Sequence, residues 1–283
     1  MRRYLLNPSM PVLLRPDDTV QVGWDPRRAV VVHPPAGLNS GTLAALLRGL
    51  QTARSTEDVC EHAHRLGVPE PSSATVVAEL FGVLTQAGLL TTRRPAGRSV
   101  TIRIHGRGPL SDLLAGALKC SGTRVTHSSQ PHAIVTADHT DLVVLTDALI
   151  ADPRVLRDLH AAEVPHLPVR VRDGTGLVGP LVIPGVTSCL ACADRHRRDR
   201  DAAWPAVAAQ LRHTVGAADR ATLMGTAALA LNQVDRVVRA LRSADDPLGT
   251  PDPPMTLDTT LEFDVGSGSV LARRWSRHPG CPC

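Results

Sequence analysis

Ser99-Val-Thr-Ile-Arg-Ile104, His105-Gly-Arg-Gly-Pro-Leu-Ser111, Asp112-Leu-Leu-Ala-Gly-Ala-Leu-Lys-Cys120 and Thr123-Arg-Val-Thr126 follow one another in this chain. They read as a strand, a glycine turn, a helix and a second strand, which together make a β-α-β unit. The turn supplies the first two glycines of G-x-G-x-x-G, Gly106 and Gly108, and puts Ser111 in place of the third. The N-terminus of the helix offers a seat for an anion. A purely structural turn accounts for the same residues.

Further strands and helices extend the unit towards the C-terminus. Asp141-Leu-Val-Val-Leu-Thr146 reads as a buried strand, Asp152 to Ala162 as a helix and Pro168-Val-Arg-Val-Arg172 as the next strand. Gly174-Thr-Gly176 turns the chain, and Leu177 to Ile183 pairs back. Ala221 to Leu241 is a long helix rich in small residues. Thr259 to Val265 and Ser269 to Ala272 flank Gly266-Ser-Gly268 as a late hairpin. Strands alternating with helices imply an α/β fold with a Rossmann-like, mainly parallel sheet over residues 99–283.

Towards the N-terminus the pattern changes. Val12-Leu-Leu14, Thr19-Val-Gln-Val22 and Ala29-Val-Val-Val-His33 are short β-rich runs separated by turn residues, a three-stranded meander. Leu43, Leu46, Leu47 and Leu50 have helical spacing. Ser55 with Asp58 signals the start of a second helix, and Ser72 or Ser73 caps a third that Gly88 stops. Val76, Val77, Leu80, Leu84 and Ala87 are its inward positions, and Leu89-Leu90 begins a final strand. Residues 1–92 thus read as a winged-helix-like unit, joined to the rest by the polar stretch Thr91 to Arg98. The helix over Ala74–Ala87 carries Glu79 and neither Arg nor Lys, so it lacks the cations a groove-reading helix needs. A winged helix can instead take an extended peptide as an added strand.

Cys189 and Cys192 form a C-x-x-C, and Cys281 and Cys283 a C-x-C. Two close thiolate pairs complete a tetrahedral S4 site, which favours structural Zn²⁺ and leaves no open position for catalysis. A redox or disulfide pair, or unligated thiols, are the alternatives. His196 and His278 flank the pairs and offer substitute ligands. Cys60 and Cys120 read as small buried apolar side chains. Disulfides need an oxidising compartment, and the apolar start at Tyr4 is cut short by Asn7, Pro8 and Pro11, so the cytoplasm is the expected location. No membrane span is expected. The formal charge of +4 is mild, and aromatics at 2% argue against base stacking. No nucleic-acid partner is expected.

Four motifs together resemble a known group. They are Gly179-Pro-Leu-Val-Ile-Pro-Gly185, Cys189-x-x-Cys192, His196-x-x-Asp199-x-Asp201-x-x-Trp204-Pro205 and Trp275-x-x-His278-Pro-x-Cys281-x-Cys283. They resemble cyclodehydratase-type proteins of the ThiF-like, ubiquitin-activating-type superfamily. These act as leader-peptide-binding partners in the biosynthesis of thiazole/oxazole-modified ribosomal peptides (TOMMs, a class of RiPPs). The tail C-x-C departs from the superfamily's more usual C-x-x-C.

The resemblance implies that residues 1–92 are a peptide clamp of the kind called a RiPP recognition element. The groove would lie near Ala29–His33 and the helix over Ala74–Ala87, with Val30, Val31, Val32, Val77, Leu80 and Leu84 lining it. It implies Zn²⁺ on Cys189, Cys192, Cys281 and Cys283, a YcaO-type ATP-dependent cyclodehydratase as partner, and a homodimer formed through the second unit. Active relatives adenylate a carboxylate with ATP and Mg²⁺, using a complete glycine loop, a lysine, arginines and a metal-binding aspartate. Here the third glycine is lost, and the only lysine, Lys119, sits at the far end of the helix after the loop. Asp147 follows a strand and reads equally as the metal aspartate or as a helix cap. The leading expectation is a non-catalytic adaptor that presents a leader peptide for azoline formation. The alternative is an ATP-dependent adenylyltransferase using Gly106, Gly108 and Asp147, with arginine in place of lysine.

Overall fold

A computed structural model describes residues 3–69, 72–93, 99–129, 140–243 and 252–283. The chain divides into two compact units, 1–97 and 98–283. Residues 94–98 of the expected linker lie outside the described residues.

The first unit holds an antiparallel meander of β2 (Val12–Leu14), β3 (Val20–Val22) and β4 (Val30–Val32). Three helices follow: α1 (Ser40–Gly49), α2 (Thr56–Arg65) and α3 (Ser72–Gln86). Local chemistry starts two of them. Asn39 Oδ1 accepts from the Thr42 amide at 2.8 Å, and Ser55 with Asp58 forms a reciprocal capping box at the head of α2. The α1 stripe Leu43, Leu46, Leu47 and Leu50 enters the core with Val20, Val22, Val77, Leu80 and Leu84. Full burial of each such side chain stabilises by about 1.5–3 kcal/mol. One strand of this unit went unread in the sequence. Arg3–Leu6 is a strand, β1, paired antiparallel with β5 (Leu90–Arg93), so that Leu6 meets Leu90.

The second unit is built on a seven-stranded sheet in the order β12-β11-β10-β9-β8-β6-β7. Its strands are β6 (Thr101–His105), β7 (Arg124–Ser128), β8 (Leu142–Thr146), β9 (His166–Arg172), β10 (Thr175–Val178), β11 (Thr259–Asp264) and β12 (Ser269–Arg274). β7, β6, β8 and β9 run parallel, and β10, β11 and β12 extend the sheet antiparallel. The sheet is therefore mixed, with a parallel, Rossmann-like half.

Side-chain alternation sorts the two faces. Leu142, Val144, Leu167, Val169 and Val171 join the core under α4 (Pro109–Leu118) and α8 (Arg220–Ser243). Val143 and Leu145 face the other way and pack with α5 (Pro153–Ala161) and α6 (Leu190–Arg200). α7 (Trp204–Leu211) follows α6. No described helix is long and apolar enough to cross a membrane.

Candidate functional site

Two features of the second unit lie where the sequence reading put its chemistry, the cysteine pairs and the glycine turn. Cys189 is the N-cap residue of α6, and Cys192 lies in its first turn. The positive end of the helix favours thiolate at both positions. Cys281 and Cys283 arrive on the tail that leaves β12, and several contacts fix that tail. Trp275 donates its amide to the Asp258 carbonyl at 2.8 Å and its indole N–H to Thr260 Oγ1 at 2.9 Å. Arg277 donates to the Gly185 carbonyl, and His278 Nε2 lies 2.7 Å from Asp199 Oδ2 on α6.

The four sulfurs converge within 4.8 Å of one another. Cys189 is 3.8 Å from Cys192 and 3.6 Å from Cys281, and Cys192 is 3.3 Å from Cys283. A tetrahedron with Zn–S near 2.3 Å has edges of about 3.8 Å, so this donor set fits such an ion. Disulfide bonding would need about 2.05 Å. Cys189 and Cys192 are buried among Val143, Val182 and Leu190. Burial pushes the Cys189 thiol up. At Cys192 burial acts in the same sense, but hydrogen bonds with the backbone at His278 and Cys189 and with the Cys283 and Cys281 side chains together outweigh it and hold the thiol down at about 7. The cluster can hold a metal ion. His196 and His278, offered by the sequence as substitute ligands, form with Asp199 a neighbouring group of their own. Cys120 is exposed rather than buried, and Cys60 packs at the edge of the first unit's core.

The glycine turn is closed by the chain itself. Asp147, directly after β8, is 2% exposed and adopts φ of 68°. Its carboxylate accepts from the amides of Leu110 at 2.9 Å and Ser111 at 3.0 Å, and from the Ser111 hydroxyl. These are amides of the first turn of α4, the groups a bound phosphate would use. Asp147 is thus a long-range helix cap, and its charge complements the helix dipole. The close approach explains the glycine at 108. A Cβ there would lie 2.7 Å from the Asp147 carboxyl carbon, and one at Gly106 would overlap the Thr146 side chain and carbonyl. The helix begins at Pro109 rather than Asp112, because Asp147 satisfies the amides of the extra turn. Lys119 is the C-cap residue of α4, at the opposite end from this turn.

The expected peptide groove needs correction in the first unit. Val77, Leu80 and Leu84 are fully buried, and Val32 is 2% exposed. They hold α3 and β4 on the core, so none is available to line a groove. Val31 is 42% exposed and Val30 half-buried, and on α3 Val83 is an exposed large apolar residue.

The backbone of β4 is more informative. Gly23 donates to the Pro11 carbonyl and Arg15 to the Thr19 carbonyl, so the odd-numbered residues of β3 bond to β2. Its even-numbered residues, Val20 and Val22, therefore bond to Val32 and Val30 of β4. Val31 is left with its N–H and C=O on the outer side of the sheet. No described strand pairs with that side. The opposite edge is covered, since Arg48 donates to the Val12 carbonyl at 2.9 Å and Gln51 to the Met10 carbonyl at 2.8 Å.

No protein-family model matches the sequence, and no curated protein matches it. Solved structures resemble the whole chain in fold. A heterocyclase in complex with substrate and cofactor is similar at TM-score 0.69 and 16% identity, and the heterocyclase TruD at 0.66 and 19%. This chain is covered completely in both, yet it spans only 39% and 42% of their lengths. E. coli MccB in complex with ATP is similar at TM-score 0.56 and 13% identity over 100% of this chain and 99% of its own. At these identities the likeness shows the fold.

Proposed function

We propose that this chain is a peptide-binding adaptor in the maturation of ribosomal peptides, and not itself a catalyst. It takes a precursor's leader peptide as an added strand and presents it to a YcaO-type cyclodehydratase for azoline formation. The observation that carries this reading is the open edge of β4, where Val31 turns an unpaired N–H and C=O outward beside an exposed valine side chain. Strand addition uses such an edge, with backbone hydrogen bonds giving affinity and alternate side chains giving specificity. The first unit then serves as a RiPP recognition element of winged-helix type, with Val30, Val31 and Val83 as its contact residues.

The second unit is a Rossmann-like, ThiF-type scaffold stapled by structural Zn²⁺ on Cys189, Cys192, Cys281 and Cys283. The ion supplies no reaction chemistry there, because four thiolates fill a tetrahedral shell. It ties the tail to α6. The scaffold is expected to pair with a second copy and to work in the cytoplasm. Adenylation is disfavoured by the Asp147 carboxylate, which occupies the amides at the head of α4. The distance of Lys119 from that turn argues the same way. The fold shared with two heterocyclases fits a role beside cyclodehydration.

Fluorescence polarisation tests the reading with labelled leader peptides from ribosomal precursors, added to the full chain without ATP. Saturable binding by one of them is expected. Binding that requires ATP and Mg²⁺, together with ATP–pyrophosphate exchange, would establish the adenylyltransferase instead.

A further inference from the structure

A cleft opens between α6 and the chain that leaves β12. It is lined by His196 and Arg200 of α6, Arg273 and Arg274 of β12, and Trp275 and Ser276 just beyond. His196 and Arg200 are four residues apart and share one face of their helix. The cleft has a volume of about 260 Å³, room for roughly nine waters at about 30 Å³ each. β12 is the outermost strand of the sheet, and β6, which leads into the glycine turn, lies five strands away. The cleft is therefore separate from the head of α4.

Among the described residues no carboxylate lines this cleft. The acids around it already have partners. Asp194 lies 2.9 Å from Arg197, Asp199 2.7 Å from His278, and Glu262 2.9 Å from Arg273 and 3.8 Å from Arg172. His196 Nε2 meets the Ser276 carbonyl at 3.1 Å and so fixes one wall against the other. Arg200 and Arg274 remain. Among the described residues neither guanidinium has an ion pair or a hydrogen bond. The dipole of α6 favours a cation at Arg200, in its last turn, and charge on an edge strand discourages pairing with other chains. Each of these accounts for one arginine by itself. Neither brings two unmatched guanidinium groups to one cleft, where like charges repel and an anion between them is favoured.

We propose that this cleft binds a phosphoryl dianion, held by Arg200 and Arg274 with Arg273 and the Ser276 hydroxyl as further donors. Two unmatched positive charges suit a ligand of charge about −2, which a phosphate group carries near neutral pH. Guanidinium groups match phosphate oxygens with paired hydrogen bonds. The volume takes a phosphoryl group with space beside it, where the substituent of an ester can lie along Trp275. Free phosphate and a phosphate monoester share this chemistry. The wall of the cleft at Trp275 and Ser276 runs on to Cys281 and Cys283, so the metal that ties down the tail also holds the site in shape. The proposal is independent of strand addition at β4.

The test is equilibrium dialysis of the full zinc-loaded chain against radiolabelled inorganic phosphate, at constant ionic strength. Saturation near one phosphate per chain is expected. Methyl phosphate should displace the label, and acetate at the same concentration should not. Arg200→Gln and Arg274→Gln should each weaken phosphate by roughly tenfold, with zinc content and melting temperature retained, since both side chains are exposed. Arg65→Gln, an equal loss of charge in the first unit, should leave the affinity unchanged. Tighter binding of methyl phosphate than of phosphate assigns the cleft to an esterified ligand, and equal or weaker binding to the free ion. Binding that does not saturate overturns the proposal. Displacement by acetate as effective as by methyl phosphate overturns it too, as does undiminished affinity in either Arg200→Gln or Arg274→Gln.

Discussion

Replacing Asp147 tests the central structural device of the second unit. Glycine at 147 keeps the backbone at its φ of 68° without strain and removes all three hydrogen bonds that the carboxylate accepts. Loss of an N-cap side chain costs about 0.5–2 kcal/mol. Two buried amides are then left without a partner, which adds about 1–3 kcal/mol, while the Ser111 hydroxyl keeps Thr146 Oγ1 at 2.7 Å. Asp147→Gly should therefore destabilise the second unit by about 2–4 kcal/mol. For a unit of this size that lowers the melting temperature by roughly 4–16 °C. Urea unfolding in a Trp24→Phe background measures it, because Trp204 and Trp275 then report only the second unit. Asp147→Asn, which keeps an acceptor and loses the charge, should fall between. Inorganic phosphate should stabilise Asp147→Gly more than the parent, by filling the vacated helix terminus. A loss below about 0.5 kcal/mol, the size of an ordinary surface change, would refute the reasoning.

Two further outcomes follow from the same unit. Deleting Cys281 to Cys283 should take bound zinc from about one per chain to none; with free zinc a thousandfold above Kd, the lost stabilisation is about 4 kcal/mol. Unchanged metal content and melting would defeat the assignment of these cysteines. His166 is buried with Nδ1 on the Val164 carbonyl, and burial pushes it down to about 4 from an ordinary 6.5. The unfolded chain then takes up the proton first, so this residue costs nothing above pH 6.5 and removes stability as pH falls towards 4. Zinc-loaded His166→Leu should lose about 2 kcal/mol less than the parent between pH 7 and pH 5, measured by urea unfolding at each pH.

Local signals in the sequence found α1 to α5, α8, the meander and the cysteine pairs, while α6 and α7 went unread. Ser55 with Asp58 states a helix start within four residues, and C-x-x-C states a ligand pair within the same span. What was missed depends on pairing across the chain. Arg3–Leu6 becomes a strand only because Leu90–Arg93 lies beside it. Arg197 belongs to the charged run Arg195–Arg200, yet its guanidinium lies over the rings of Trp204 and Trp275, the latter far along the sequence. The helical period of Val77, Leu80 and Leu84 was legible, but it marks a core face and cannot also mark a groove. Asp147 was readable as a cap or as a metal ligand, and only the fold brings the α4 amides to its carboxylate.

Val31→Pro tests the adaptor account most directly. Proline removes the one outward N–H of β4, while the bonds of Val30 and Val32 to β3 remain, as edge positions tolerate. Leader-peptide affinity by fluorescence polarisation should fall roughly tenfold or more, with the melting temperature of the first unit retained. A Val31→Pro chain that folds and binds the peptide as tightly as the parent contradicts strand addition at β4.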